Sequence, residues 1–126
     1  MSHRCKFFAI FCKDFRLWKK ILEYLETNGL LGDCDIHARA GGVKDRVFLM
    51  EEVESSVNLH DIKEVILCNH TDCGAYGKFS SFEEERAFHK KEMQEAKELI
   101  LAKYPYLKVR MVLGVIDTGE VRLEEV

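Results

Sequence analysis

Phe7 to Arg16 reads FFAIFCKDFR. Five consecutive apolar residues, Phe7 to Phe11, run straight into a thiol, a carboxylate and a guanidinium. An apolar run this short and uniform predicts a strand buried on both faces, the kind a parallel sheet requires. Working outward, Phe15 to Asn28 has helical spacing through Leu17, Trp18, Ile21, Leu22 and Leu25, and Asn28-Gly29 is a helix stop. Asp35 to Ala40 is a second, poorer strand, interrupted by His37 and Arg39 and ended by Gly41-Gly42. Val47 to Val57 is helical through Leu49, Val53 and Val57. Val65 to Cys68 (VILC) is the third strand. Phe82 to Tyr104 is a long helix whose charges make a solvated face, and Tyr104-Pro105 ends it. Val109 to Ile116 is the fourth strand, Asp117-Thr118-Gly119 a turn, and Val121 to Val126 a short hairpin arm. Strands alternating with helices predict an α/β fold: one domain over residues 1–126, a three-layer sandwich, with a mainly parallel sheet in the order 2-1-3-4 and a C-terminal hairpin strand.

Composition sets the bounds. The 126 residues are 47% hydrophobic and 33% charged, with a single Pro and eight Gly, which excludes disordered, collagenous and low-complexity classes. No stretch approaches the ~20 apolar residues of a membrane span. The apolar run at Phe7 to Cys12 is too short for a secretory signal and is ended by Lys13 and Asp14. The expectation is a cytoplasmic protein with reduced thiols, in which five cysteines suggest metal or catalysis rather than a disulfide framework. A net charge of -3 with no long basic run argues against nucleic acid as a partner.

Ligands of open α/β sheets collect beyond the carboxyl ends of strands. Cys12-Lys13-Asp14-Phe15-Arg16 follows the first strand, Arg39-Ala40-Gly41-Gly42 the second, and Asn69-His70-Thr71-Asp72-Cys73-Gly74 the third. In the order 2-1-3-4, strands one and three are neighbours, so Cys12, His70 and Cys73 converge. Two thiolates and an imidazole suit zinc, and three protein ligands leave a fourth position for water. His70 and Cys73 fit a turn opening a helix. The competing reading is a buried cysteine beside a capping or surface histidine. Asp14 has two readings as well: a carboxylate held bidentately by Arg16 near a metal, or a helix N-cap with a surface arginine.

Cys12-x-Asp14-x-Arg16 followed by His70-x-x-Cys73 resembles the pattern of the β-class carbonic anhydrases. Ala40-Gly41-Gly42 with Asp45 shortly after is similar to the family's Arg-Asn-Ala-Gly-Gly segment, although Ala38 and Arg39 stand where the usual Arg and Asn would be. Gly114 to Gly119 is similar to its last strand and turn. The resemblance implies one zinc per chain on Cys12, His70 and Cys73, and reversible hydration of carbon dioxide to bicarbonate by zinc-bound hydroxide. Asp14, held by Arg16, would orient that hydroxide, and Gly41 and Gly42 would lie on the substrate side. In some members the aspartate swings onto the metal, which would make Asp14 a switch. Family members assemble, so a homodimer or larger homo-oligomer is expected, with a small molecule as the only other partner and no membrane.

The same scaffold admits a hydrolase of carbon disulfide or carbonyl sulfide. It also admits a non-enzymatic or regulatory zinc-binding homologue with Asp14 closing the fourth position. A thiol enzyme with Cys12 as nucleophile is a weaker reading, because Trp18 occupies the arginine position of the phosphatase loop Cys-x5-Arg. No Cys-x-x-Cys redox pair exists, and Gly74 to Gly77 is only a fragment of a dinucleotide fingerprint. Cys5, Cys34 and Cys68 have no partners at metal spacing and read as structural. His37 has some claim to the crevice as a proton shuttle. His3, His60 and His89 read as surface residues, Asp72 as a bond to the turn backbone, and Tyr76 and Phe79 as an apolar wall or subunit contact.

Overall fold

The structure, a computed structural model, describes residues 3–126. Five strands and three helices alternate: β1 (Phe7–Phe11), α1 (Trp18–Thr27), β2 (Cys34–Ala38), α2 (Arg46–His60), β3 (Glu64–His70), α3 (Phe82–Lys103), β4 (Lys108–Asp117) and β5 (Glu120–Glu125). The sheet order is β2-β1-β3-β4-β5, parallel except for the last pair, as the alternation predicted.

β1 lies inside the sheet, and all five of its residues are buried. Phe8 and Ile10 face α2 and α3, packing with Leu49, Val53, Met93 and Ile100. Phe7, Ala9 and Phe11 face α1, packing with Leu17, Ile21 and Leu25. Both faces are covered, which is why the strand shows no polar alternation. Full burial of a side chain such as Phe8 contributes roughly 1.5–3 kcal/mol.

Element ends follow local chemistry. Asp45 caps α2 by accepting from the Phe48 N–H, and Ser81 caps α3 by accepting from the Glu84 N–H. β4 turns into antiparallel β5 through Thr118 and Gly119, both at positive φ (43° and 84°), the backbone of a two-residue hairpin. α1 starts at Trp18 rather than Phe15, because the Leu17 N–H bonds back to the Asp14 carbonyl in a tight turn. β3 is longer than its apolar run: Glu64, Asn69 and His70 continue the ladder to β4, although they are polar and buried. Among the described residues no helix is long and apolar enough to cross a membrane.

Candidate metal centre

Cys12 is the first residue beyond β1, and His70 is the last residue of the neighbouring β3. Cys73 follows three residues later. The helix expected to open there does not form. Residues 71–81 run as a loop in which Asp72 takes φ 55° and the Tyr76 N–H bonds to the Cys73 carbonyl. This loop still turns Cys73 back, and the two Sγ atoms and a His70 ring nitrogen lie within 4.8 Å of one another, all in buried residues.

The donor chemistry suits a metal. The sulfurs are 3.9 Å apart, against about 3.8 Å for two thiolates ~2.3 Å from one tetrahedral zinc. His70 Nδ1 is 2.6 Å from the Thr71 carbonyl. A carbonyl only accepts, so Nδ1 carries the proton and Nε2 keeps a free lone pair. That is the orientation by which a backbone carbonyl fixes a metal-ligating histidine. Nε2 is buried and has no hydrogen-bond partner among the described residues, a condition that needs an explanation in a folded protein. A hydrogen bond from Cys73 draws the first proton off the sulfur pair below the ordinary thiol range, starting with Cys12. The hydrogen bond that Cys73 gives to Cys12, and then burial, hold back the second proton on Cys73. The backbone of Gly41 lowers the pKa at both sulfurs.

Asp14 and Arg16 form the clamp that their spacing suggested, not a helix cap. Arg16 Nε donates to Asp14 Oδ1 at 3.0 Å and Nη2 to Oδ2 at 2.7 Å. The Arg16 N–H adds a third bond at 2.9 Å. This holds the Asp14 carboxyl at about 2, mainly through the guanidinium. Asp14 Oδ2 is 3.9 Å from His70 Nε2, so the ionised carboxylate faces the centre. Asp72, expected to bond the turn backbone, holds the far side of Arg16: Nη1 donates to its carboxylate at 2.9 Å and Nη2 to its carbonyl at 3.0 Å.

Behind the ligands is a hydrogen-bond network that sequence reading missed. Asn69 Oδ1 accepts from the Val43 N–H at 3.1 Å, which directs its NH2 group toward Tyr76 Oη and His89 Nδ1, both at 3.1 Å. Tyr76 in turn donates to the Gly41 carbonyl at 2.7 Å. Gly42 lies so close that a Cβ there would sit 2.5 Å from Asn69 Oδ1 and 2.7 Å from the Cys68 carbonyl. The network thus positions the Gly41–Val43 backbone beside the sulfurs. His89, expected at the surface, is fully buried, and burial lowers its pKa to about 4. A polar residue closing an apolar strand, as Asn69 does after VILC, was the one available signal.

The remaining candidates lie elsewhere. Cys68 is a buried core residue. Cys34 opens β2 and is half-buried on the α1 side. His37 turns toward α2, stacking on Phe8 and lying 3.0 Å from Glu52, away from the crevice. Cys5 is not isolated, since it clusters with Asp35 and His60. Tyr76 and Phe79 pack against Phe88 and His89.

An open α/β sheet with two thiols and an imidazole gathered at the carboxyl ends of adjacent strands defines a protein with a candidate transition-metal centre. A family model described as "Putative carbonic anhydrase" matches residues 2–123, and the chain belongs to that family. An uncharacterized protein of Rickettsia bellii (strain RML369-C) is 30% identical over 123 residues, covering 86% of this chain and 75% of the relative. The fold is similar to that of carbonic anhydrase from Streptococcus mutans, with TM-score 0.65 and 21% identity over 97% of this chain and 82% of that one. It is also similar to tetrameric β-carbonic anhydrases from Sordaria macrospora, with TM-score 0.55 and 16% identity over 99% of this chain and 82% of that one.

Proposed function

We propose that this chain is a zinc enzyme for the reversible hydration of carbon dioxide, with Cys12, His70 and Cys73 as ligands. The observation that carries this reading is the donor set: two sulfurs 3.9 Å apart beside a buried, unpartnered His70 Nε2 whose tautomer is fixed by Thr71. Zinc held there supplies Lewis acidity and makes hydroxide available from water near neutral pH. The protein's own part is orientation. Asp14, ionised and locked by Arg16, accepts a hydrogen bond from the attacking oxygen and aims its lone pair at the carbon. Asp72 holds the far side of Arg16 and so steadies the clamp. Gly41 and Gly42 contribute backbone only: Gly41 lies against the sulfurs, and the turn forms the wall on the substrate side. Phe15 and Trp18 are 79% and 57% exposed beside this site. We assign them to a self-association surface, checked by sedimentation.

Asp14 Oδ2, 3.9 Å from His70 Nε2, also favours a second reading in which Asp14 is a fourth ligand and the protein is a closed, non-enzymatic zinc binder. Stopped-flow carbon dioxide hydration from about pH 7 to 9 separates the two. The first reading predicts activity rising with pH, and absence of activity at every pH with zinc fully bound leaves the second.

A further inference from the structure

A second donor cluster lies on the other face of the sheet, at the opposite end of β1. Cys5 precedes β1, Asp35 is the second residue of β2, and His60 ends α2. The Cys5 Sγ, an Asp35 carboxylate oxygen and a His60 ring nitrogen lie within 4.8 Å of one another, all in half-buried residues. The backbone pins them. The Cys5 N–H donates to the His60 carbonyl at 3.1 Å, and Asp35 sits opposite Phe8 in the β1–β2 ladder.

Part of this cluster has a purely structural use. Ser56 Oγ donates to Asp35 at 2.6 Å, and His60 Nδ1 lies 2.7 and 2.9 Å from its two oxygens, which joins α2 to β2. That join is complete without a thiol. The one hydrogen bond of Cys5 Sγ among the described residues is a 3.5 Å contact to the Phe7 carbonyl. What the thiol adds is a soft donor beside an imidazole and a carboxylate, a mixed set suited to zinc or cobalt(II) and not to calcium or magnesium.

The charges that would draw a cation also hold the thiol proton in place. Burial opposes ionisation of Asp35, yet hydrogen bonds from Ser56 and His60 keep its pKa below the usual range. Burial, then the charge of Asp35, raises the Cys5 thiol. A divalent cation would displace that thiol proton and take up the same negative field. A cavity of about 250 Å³ borders the cluster on the Asp35 and His60 side, away from Cys5, and gives water access to those two donors. His37 and Glu52 line it too, paired with each other.

We propose that Cys5, Asp35 and His60 form a second site for a divalent transition-metal ion, separate from the centre at Cys12. An ion there would tie the segment before β1 to β2 and the end of α2.

The test is cobalt(II) titration of the reduced, metal-free protein, counting equivalents and following thiolate-to-cobalt charge transfer. The wild type should take up two equivalents and Cys5→Ser one, while Cys12→Ser keeps a weaker, one-thiolate spectrum. Asp35→Asn, which retains the partner of Ser56, should weaken the Cys5 site at least about tenfold, with circular dichroism confirming folding. Equal uptake and equal charge-transfer intensity in wild type and Cys5→Ser would overturn the proposal, as would unchanged affinity in Asp35→Asn. A single ion lost in Cys5→Ser and kept in Cys12→Ser would support this site while removing the one proposed for catalysis.

Discussion

Acidification from about pH 7 to below pH 4 should cost the metal-free protein about 3 kcal/mol of stability through one side chain, His89. The ring is fully buried, and burial, with a smaller contribution from His70, lowers its pKa from 6.5 to about 4. At about 1.4 kcal/mol per pH unit, that drop is worth about 3 kcal/mol. The unfolded chain binds the proton near 6.5 and the folded chain near 4. Stability is therefore intact above 6.5, falls as pH drops between the two values, and levels off below 4. The hydrogen bonds give the same sign. Val43 holds Asn69 Oδ1, so Asn69 offers an N–H to His89 Nδ1, and a protonated ring would set one donor against another. Glu85 Oε2 lies 3.8 Å from His89 Nε2 and would favour the charged ring, but it is beyond hydrogen-bond distance. The assay is urea unfolding across this pH range for wild type and His89→Gln, which keeps an acceptor for Asn69. The stability difference between the two should move by about 3 kcal/mol in favour of the variant as pH falls. A difference that does not change with pH would refute the reasoning. So would a gain by the wild type, which would mean that Glu85 holds an imidazolium in the folded state.

Gly42→Ala should destabilise the fold by at least ~2 kcal/mol, since its Cβ would sit 2.5 Å from Asn69 Oδ1 at φ 61°. Gly29→Ala, at φ 74° with nothing within 4 Å, should cost only about 1 kcal/mol, and thermal unfolding compares the two. Arg16→Gln should leave zinc content unchanged but lower kcat/KM on the order of 100-fold, because Asp14 loses its lock. Asp72→Asn should lower it less, because Arg16 keeps its bonds to Asp14 and to the Asp72 carbonyl. Parallel stopped-flow and metal analysis of both variants check this pair.

β1 was legible because five apolar residues in a row, too short for a helix and ended by Cys12-Lys13-Asp14, suit a strand covered on both sides. β2 was less so: it is the sheet edge, and Asp35 and His37 use it to bond α2 rather than to fill a core. Cys12, His70 and Cys73 stood out because each lies at or just beyond a strand end that the apolar runs locate. The role of Asp72 depends on a left-handed backbone and on an arginine 56 residues away, neither of which local pattern reveals. His89 sits beside Lys90 and Lys91 on a charged helix, and its neighbours alone suggest exposure. Only tertiary contact with Asn69, 20 residues earlier, shows that it is internal. Cys5, Asp35 and His60 are likewise distant in sequence and meet only because β1 and β2 pair in parallel beside α2.

Native mass spectrometry of zinc content tests the central claim most directly. It is best done in a Cys5→Ser background, so that only the centre between β1 and β3 is in question. The account predicts one zinc per chain, lost on adding Cys12→Ser, His70→Ala or Cys73→Ser. A folded chain that keeps its zinc after Cys73→Ser would contradict it.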